Sequence, residues 1–284
     1  MSNNSIINLG DLSKPATVLI EKISDAVGGM FKPYQIVRVA KAEAEADQLR
    51  AQAQIEITDL QRRAMYRFLQ EEAKKQSNIE EITQQALPQL TDQSQPDKLE
   101  ADWITNFFDR SRLISDKEMQ GLWSRILAGE ANSPGTFSKK TVNLVADLDK
   151  TDAVLFTKLC GFAWMISGLV PLVFDVEADI YNKRDINFGI LNHLESMGLI
   201  QFESLAGYCR MKLPKTFKVF YYGAAVDLEM PNETDNSLDL GNVLLTKAGT
   251  ELAPVCGCVK VDGFMDYVRE RWSRQGFVKR DNTK

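Results

Sequence analysis

Between Pro33 and Pro88 lie fifty-four residues, Tyr34 to Leu87, without one glycine or proline. They are dominated by Ala, Leu, Glu, Gln, Lys and Arg, the side chains that lose least freedom on entering a helix. A stretch so free of breakers has little choice but helix. Read as one rod from Tyr34 to Gln76, it would be roughly 65 Å long at 1.5 Å per residue, against roughly 11–12 residues for an average globular helix. Helices gain most of their stability from packing, so such a rod is expected to have a partner.

The apolar positions say which face that partner meets. Ala42, Ala46, Leu49, Ala53, Ile57, Leu60, Ala64 and Phe68 are spaced 4, 3, 4, 4, 3, 4 and 4 apart. This eleven-residue rhythm, near 3.67 per turn, predicts a straight or slightly right-handed helical pairing. The eight form a candidate oligomerisation seam for a homo-oligomer or a protein partner, or for packing in cis. Alanines allow close approach in the first half, and Ile57, Leu60, Met65, Phe68 and Leu69 thicken the second. Asp59 with Arg63 and Glu71 with Lys75 are acid-before-base pairs at i,i+4 on the solvated side. Ser77 and Glu80 have capping-box spacing, so the rod is expected to break there into a second short helix ending at Leu87.

Upstream, Leu19, Ile20, Ile23, Val27, Met30 and Phe31 recur at helical steps opposite Glu21, Lys22 and Asp25, and the pattern stops at Gly28-Gly29. This short amphipathic helix suits folding back on the protein or, as the sharper alternative, peripheral membrane contact through residues 15–31. Residues 1–90 thus read as an amphipathic helix plus a long arm. The polar run 91–98 is the clearest candidate boundary. A helical core follows over 98–168, with Ser115 and Glu118 in capping-box spacing and Met119, Leu122, Trp123, Ile126 and Leu127 on one face. Ser138 can cap the next helix, and Asp149 or Thr151 the one after. The sixteen-residue apolar run Leu159–Phe174 falls short of the roughly 20 residues a bilayer span needs. It reads as a buried helix entering a strand.

From 169 to 262 the period alternates. A strand-like segment over 172–176, a helix over 186–200, four strands between Leu199 and Glu229, a polar loop at 231–237 and a strand at 243–246 precede Leu-Thr-x-x-Gly-x-x-Leu (245–252). The sequence looks like a winged-helix-like α+β module. Residues 263–284 read as a last helix, with Phe264, Val268 and Trp272 on one face, and a basic tail. The expected fold class is mainly α with a smaller α+β part: a long coiled-coil-like N-terminal helix, a helical core and the C-terminal module.

Composition removes several function classes. With 44% hydrophobic residues the chain can fill a core, and a formal charge of −5 gives no general attraction to nucleic acid or anionic membrane. Four scattered cysteines (Cys160, Cys209, Cys256, Cys258), whose only close pair is C-x-C, and the single His193 make no metal knuckle or redox motif. No metal or cofactor is expected. The start lacks the charged-then-apolar signal-peptide pattern, so a cytoplasmic location is the expectation.

Some local resemblances carry further. LSKPATVLIEKISDAVGGMFKP, LQRRAMYRFLQEEAKKQSNIEEI, ISDKEMQGLWSRILAGEANSPGTFSKKTVNLVADLDKTDAVLF and LLTKAGTELAPVCG together resemble an uncharacterised bacterial family, domain of unknown function 2806. The resemblance covers nearly the whole chain, and the S-D-K-E-x-Q-x-L-W-x-R-I-L-A-G-E block is its most specific part. More loosely, the amphipathic helix, the charged long helix and the L-W-x-x-I-L-A block are similar to the abortive-infection alpha proteins, which implies a phage-defence context. Neither family brings catalytic residues.

The residues themselves add no complete active site. Gly28-Gly29 lacks phosphate-loop spacing, and His193 sits in a helical stretch with no nucleophile elbow. Asp175/Glu177 and Asp227/Glu229 are carboxylate pairs two apart, but no lysine follows in a D…E-x-K order; the E-x-K at Glu72-Ala73-Lys74 lies on the rod. Nucleic-acid binding is the rival to a protein-interaction role. Its candidate contacts are Lys183, Arg184 and Asn187 around the candidate recognition helix and Arg269, Arg271 and Arg274 near the tail, although 186–197 contains no lysine or arginine. The expectation is a non-enzymatic, oligomeric interaction or regulatory protein. A winged-helix nucleic-acid regulator and a peripheral membrane effector are its alternatives.

Overall fold

The computed structural model describes residues 12–28 and 58–278. Helices form the majority and the strands make small antiparallel sheets. The chain divides between Ala146 and Asp147 into two compact units. The last helix lies in the second unit.

In the first unit, α1 (Lys14–Val27) starts where the Ser13 side chain accepts from Ala16 N and stops at Gly28, whose φ of 75° favours glycine. Its apolar face, Ala16, Leu19, Ile20 and Ile23, is buried against α3 (Ala101–Ser111) and the 3₁₀ turn Pro96–Lys98. Helix α2 runs unbroken from Asp59 to Ala86. Thr58 precedes it with extended backbone (ψ 153°) and a full capping box with Gln61. The expected rod from Tyr34 is therefore interrupted at Thr58, and the expected break at Ser77 does not occur.

What removes the Ser77 break is packing. Asn78, Ile79, Ile82, Thr83 and Ala86 are buried, and α2 lies along α4 (Lys117–Asn132). Asn78 donates to Arg112 O at 2.8 Å and accepts from Gln120 Nε2 at 3.1 Å, while Gln120 also donates to Ile114 O at 2.9 Å. Buried amides demand partners, and these two supply each other.

The family-like block explains itself on α4. Asp116, not Ser115, caps the helix, accepting from Glu118 N and Met119 N. Trp123 is buried edge-on to Phe107 at 5.2 Å. A Cβ on Gly129 would sit 2.7 Å from the Phe137 ring, so only glycine admits that ring. The buried Glu130 carboxylate accepts from Gly135 N at 2.6 Å and Phe137 N at 2.7 Å, and Trp103 Nε1 donates to Phe137 O. Helix α5 (Lys139–Ala146), begun by Ser138 accepting from Thr141 N, closes the bundle against α3. Residues 91–98 are tied in: Gln95 N donates to Ala131 O, Ser94 Oγ bonds Asn132 and Pro96 is buried.

The second unit opens with α6 (Lys150–Cys160), begun by an Asp149–Asp152 capping box. The apolar run then turns into a hairpin rather than continuing as helix: β1 (Ala163–Met165) pairs antiparallel with β2 (Leu169–Pro171). Next come α7 (Asp179–Asn182), α8 (Phe188–Ser196) and β3 (Ile200–Phe202). Five strands follow: β4 (Tyr208–Leu213), β5 (Thr216–Tyr221), β6 (Ala224–Glu229), β7 (Asn236–Gly241) and β8 (Val243–Leu245). Helices α9 (Lys247–Leu252) and α10 (Phe264–Arg274) complete it. One sheet has the order β2-β1-β5-β6, and β3-β8 and β4-β7 form separate pairs. The loop expected at 231–237 is present over 231–235, and strand β7 takes its last two residues. The core is aromatic: Phe162, Trp164, Tyr181, Tyr221, Phe264 and Trp272 interlock at centroid distances of 4.8–5.9 Å.

Candidate interaction site

Helix α2 is two things in sequence. Its second half is core, whereas every residue from Thr58 to Lys74 is exposed. That exposed part is not polar all round. Leu60 is 69% exposed and Phe68 60%, with Met65 and Leu69 beside them and Tyr66 on the flank. Positions 60, 64 and 68, then 65 and 69, form one contiguous stripe at steps of four. A stripe of large apolar side chains on one helix, unmatched by any partner surface among the described residues, is the hallmark of a contact face.

The rest of that half is a charged sheath. Asp59 pairs with Arg62 at 3.3 Å, Arg67 with Glu71 at 3.5 Å and Glu72 with Lys75 at 2.6 Å. The expected Asp59–Arg63 and Glu71–Lys75 pairs are replaced by these neighbours, each contributing a few tenths of a kcal/mol at most in solvent (~0.2–0.5). At the junction with the bundle, Glu81 accepts from Gln85 and pairs with Lys117 at 3.1 Å; these bonds hold its carboxyl below the usual glutamate range.

Of the eight expected seam residues, Leu60, Ala64 and Phe68 lie on this stripe; Ala42, Ala46, Leu49, Ala53 and Ile57 fall outside the described residues. Three of the six candidate nucleic-acid contacts are ion-paired. Lys183 pairs with Asp179 at 3.2 Å, Arg274 with Glu270 at 2.6 Å and Arg271 with Asp239 at 2.9 Å, the last also lying 4.3 Å over the Phe174 ring. The Asn187 side chain caps α8 by accepting from Ile190 N. Arg184 is exposed, and Arg269 shares a groove with Asp227 and Glu229.

The other sequence candidates have structural work. His193 Nε2 bonds the Asp152 carboxylate at 2.7 Å, joining α8 to α6. Asp175 accepts from Glu177 N in a tight turn rather than a strand, and Asp227 pairs with Lys218. Among the described residues no group of three or more His, Cys, Asp or Glu side chains is arranged to hold a metal ion. Nor is any described helix long and apolar enough to cross a membrane. Sequence reasoning missed one arrangement. Three of the four scattered cysteines meet: Cys256 hydrogen-bonds the Cys160 and Cys258 thiols, and the Cys160 bond together with burial pushes its thiol up to about 12 against the lowering effect of Cys258. Cys256 and Cys258 both also approach Ala253 O, at 3.2 and 3.9 Å. Only the C-x-C spacing hinted at this; Cys160 is too distant in sequence to be read with it.

No curated protein and no solved structure matches the chain. A family model matches residues 62–269, from the exposed stripe of α2 to the middle of α10, under the description "Protein of unknown function (DUF2806)". The match does not extend to the abortive-infection alpha proteins. The S-D-K-E block and the packing it dictates around Asn78, Gly129 and Glu130 lie within this span, and the chain belongs to the DUF2806 family.

Proposed function

We propose that this chain is a non-enzymatic interaction protein that self-associates through the exposed half of α2. One observation carries the reading: Leu60, Met65, Phe68 and Leu69 form an exposed apolar stripe on a helix that is capped at Thr58 and anchored at Asn78. A second copy is the favoured partner because the stripe is narrow and runs along one helix, the pattern of two like helices packing side by side. Such pairing buries the apolar side chains and leaves the ion-paired flanks in water. Light scattering on the full chain and on Phe68→Glu tests it. The wild type is expected to give a multiple of the 32.0 kDa chain mass and the variant the mass of one chain. A wild type that is monomeric throughout the micromolar range, or a variant of unchanged mass, overturns it.

A second reading, a winged-helix nucleic-acid module, has one specific support. Strand β3 pairs with β8, β8 lies against β2, and Asn242 N donates to Val173 O. With α6, α7 and α8 beside them, these strands follow the order of helices and strands in a winged helix. Helix α8 would occupy the recognition position, yet it offers Asn192, His193 and Glu195 without a lysine or arginine, which favours protein contact over phosphate contact. A salt-titrated DNA-binding assay separates the two; binding with a steep salt slope would favour the nucleic-acid role. Membrane contact through residues 15–31 would require the buried Leu19–Ile23 face to leave the bundle. The phage-defence setting rests on the looser family resemblance, and plaque counts in cells with and without the gene test it.

A further inference from the structure

The second unit contains a cavity of about 450 Å³ that none of the roles above uses. Its floor is one cross-strand rung: Leu169 of β2 and Phe220 of β5 both stand opposite Met165 of β1, so the three side chains share a face of the sheet. Tyr222, Pro254 and Cys258 also line it. Met165 is 44% exposed, Phe220 40% and Tyr222 45%. Large apolar side chains are thus left in water around a concavity whose volume lies in the range of small-molecule sites.

Tyr222 is held there against its backbone preference. It and Gly223 form the two-residue turn between β5 and β6, with φ of 46° and 84°. That turn calls for Asn-Gly; a bulky side chain at its first position is strained, and strain of this kind concentrates at binding sites. The ring is braced edge-on by Tyr221 at 5.0 Å. Tyr221 is itself fixed, donating to Gly161 O and accepting from Val261 N, both at 2.7 Å. Loss of solvent around the Tyr222 hydroxyl, then its bond to Cys258, raise its pKa, so it keeps its proton. That hydroxyl hydrogen-bonds the Cys258 sulfur, a weak acceptor. No residue lining the cavity is charged.

We infer that this cavity binds a small neutral molecule with a flat apolar body and one carbonyl oxygen. The body lies on the Leu169–Met165–Phe220 rung, and the oxygen accepts the Tyr222 hydroxyl's hydrogen bond in place of the Cys258 sulfur. A charged ligand would find no counter-charge here, and a carbonyl is the better acceptor.

Benzophenone serves as the probe, because it has this chemistry and inserts into neighbouring C–H bonds when irradiated. Full-length protein is titrated by ligand-observed NMR, then photolabelled and mapped by peptide mass spectrometry. Saturable binding is expected, with label on the peptides carrying Met165, Leu169 or Phe220. Tyr222→Phe, which removes only the hydroxyl, should weaken binding about five- to tenfold. Tyr222→Asn should abolish binding while leaving the circular dichroism unchanged and the melting temperature equal or higher, since asparagine suits the turn. Label confined to other peptides, or wild-type affinity in both variants, overturns the inference. Neither result bears on self-association through α2, which light scattering reads separately.

Discussion

The two halves of α2 are alike in conformation and opposite in circumstance. Asp59–Lys74 and Lys75–Ala86 both carry Glu, Gln and aliphatic side chains, and both are helical. In the second half Ile79, Ile82 and Ala86 are buried on α4, and Asn78 is bonded into the bundle. The first half has only its cap, its ion pairs and its continuity with the second. Propensity alone would give both halves the same marginal stability; packing makes one of them structural and leaves the other available. An exposed half that still carries Leu60, Phe68 and Leu69 is therefore more informative about function than the conformation it shares with its neighbour.

Substitutions along the helix sharpen that contrast. Ile82→Ala, at a fully buried position, should lower unfolding stability by about 2–4 kcal/mol in chemical denaturation. Asn78→Ala should cost about 1–3 kcal/mol, because Gln120 and the Arg112 carbonyl lose a buried partner. Thr58→Ala removes the capping box and should cost the local helix about 1 kcal/mol. It is expected to speed amide exchange near Asp59 while leaving the global denaturation midpoint in place. Phe68→Ser should change the unfolding free energy of the separated chain by under about 0.5 kcal/mol. If it instead costs as much as Ile82→Ala, the two halves are not different in kind.

The smallest effect expected is one of pH. Glu81 has a lowered pKa from Gln85 and Lys117, so its contribution is fully present above the ordinary glutamate value and is lost as pH falls through the lowered one. Acid titration of stability should show a slightly shallower loss in Glu81→Gln than in the wild type below about pH 4.5.

Much of this fold can be read from local chemistry. The α1 boundaries follow from Ser13, Pro15 and Gly28, and the α6 start from Asp149. Strands β3 to β6 all fall between Leu199 and Glu229, where four strands are expected. The misses share a cause, tertiary contacts between residues far apart in sequence. Ser77 and Glu80 have the spacing of a cap, but Asn78 bonds Arg112 and Gln120 more than thirty residues away, and the helix runs through. Leu159–Phe174 is apolar throughout and shows no period; the turn at Ser167-Gly168, where both φ are positive, divides it into a hairpin. Residues 91–98 look like a linker because their bonds to Ala131 and Asn132 leave no trace in composition. Of the interaction face, the stripe at 60, 64 and 68 was legible from spacing. The cavity was not, because its rung joins residues 165, 169 and 220 through strand register.

The anchoring of α2 at Asn78 has a mechanical side. Eighteen residues, Asp59 to Gln76, extend roughly 27 Å from that point at 1.5 Å per residue, and a hydrogen-bonded helix resists bending. Whatever grips the Leu60 end holds the long arm of a lever whose fulcrum is the Asn78–Gln120 bond. A displacement of a few ångströms at the tip reaches the bundle as a small rotation of α2 on α4, in the direction that loads the seat of Ile82.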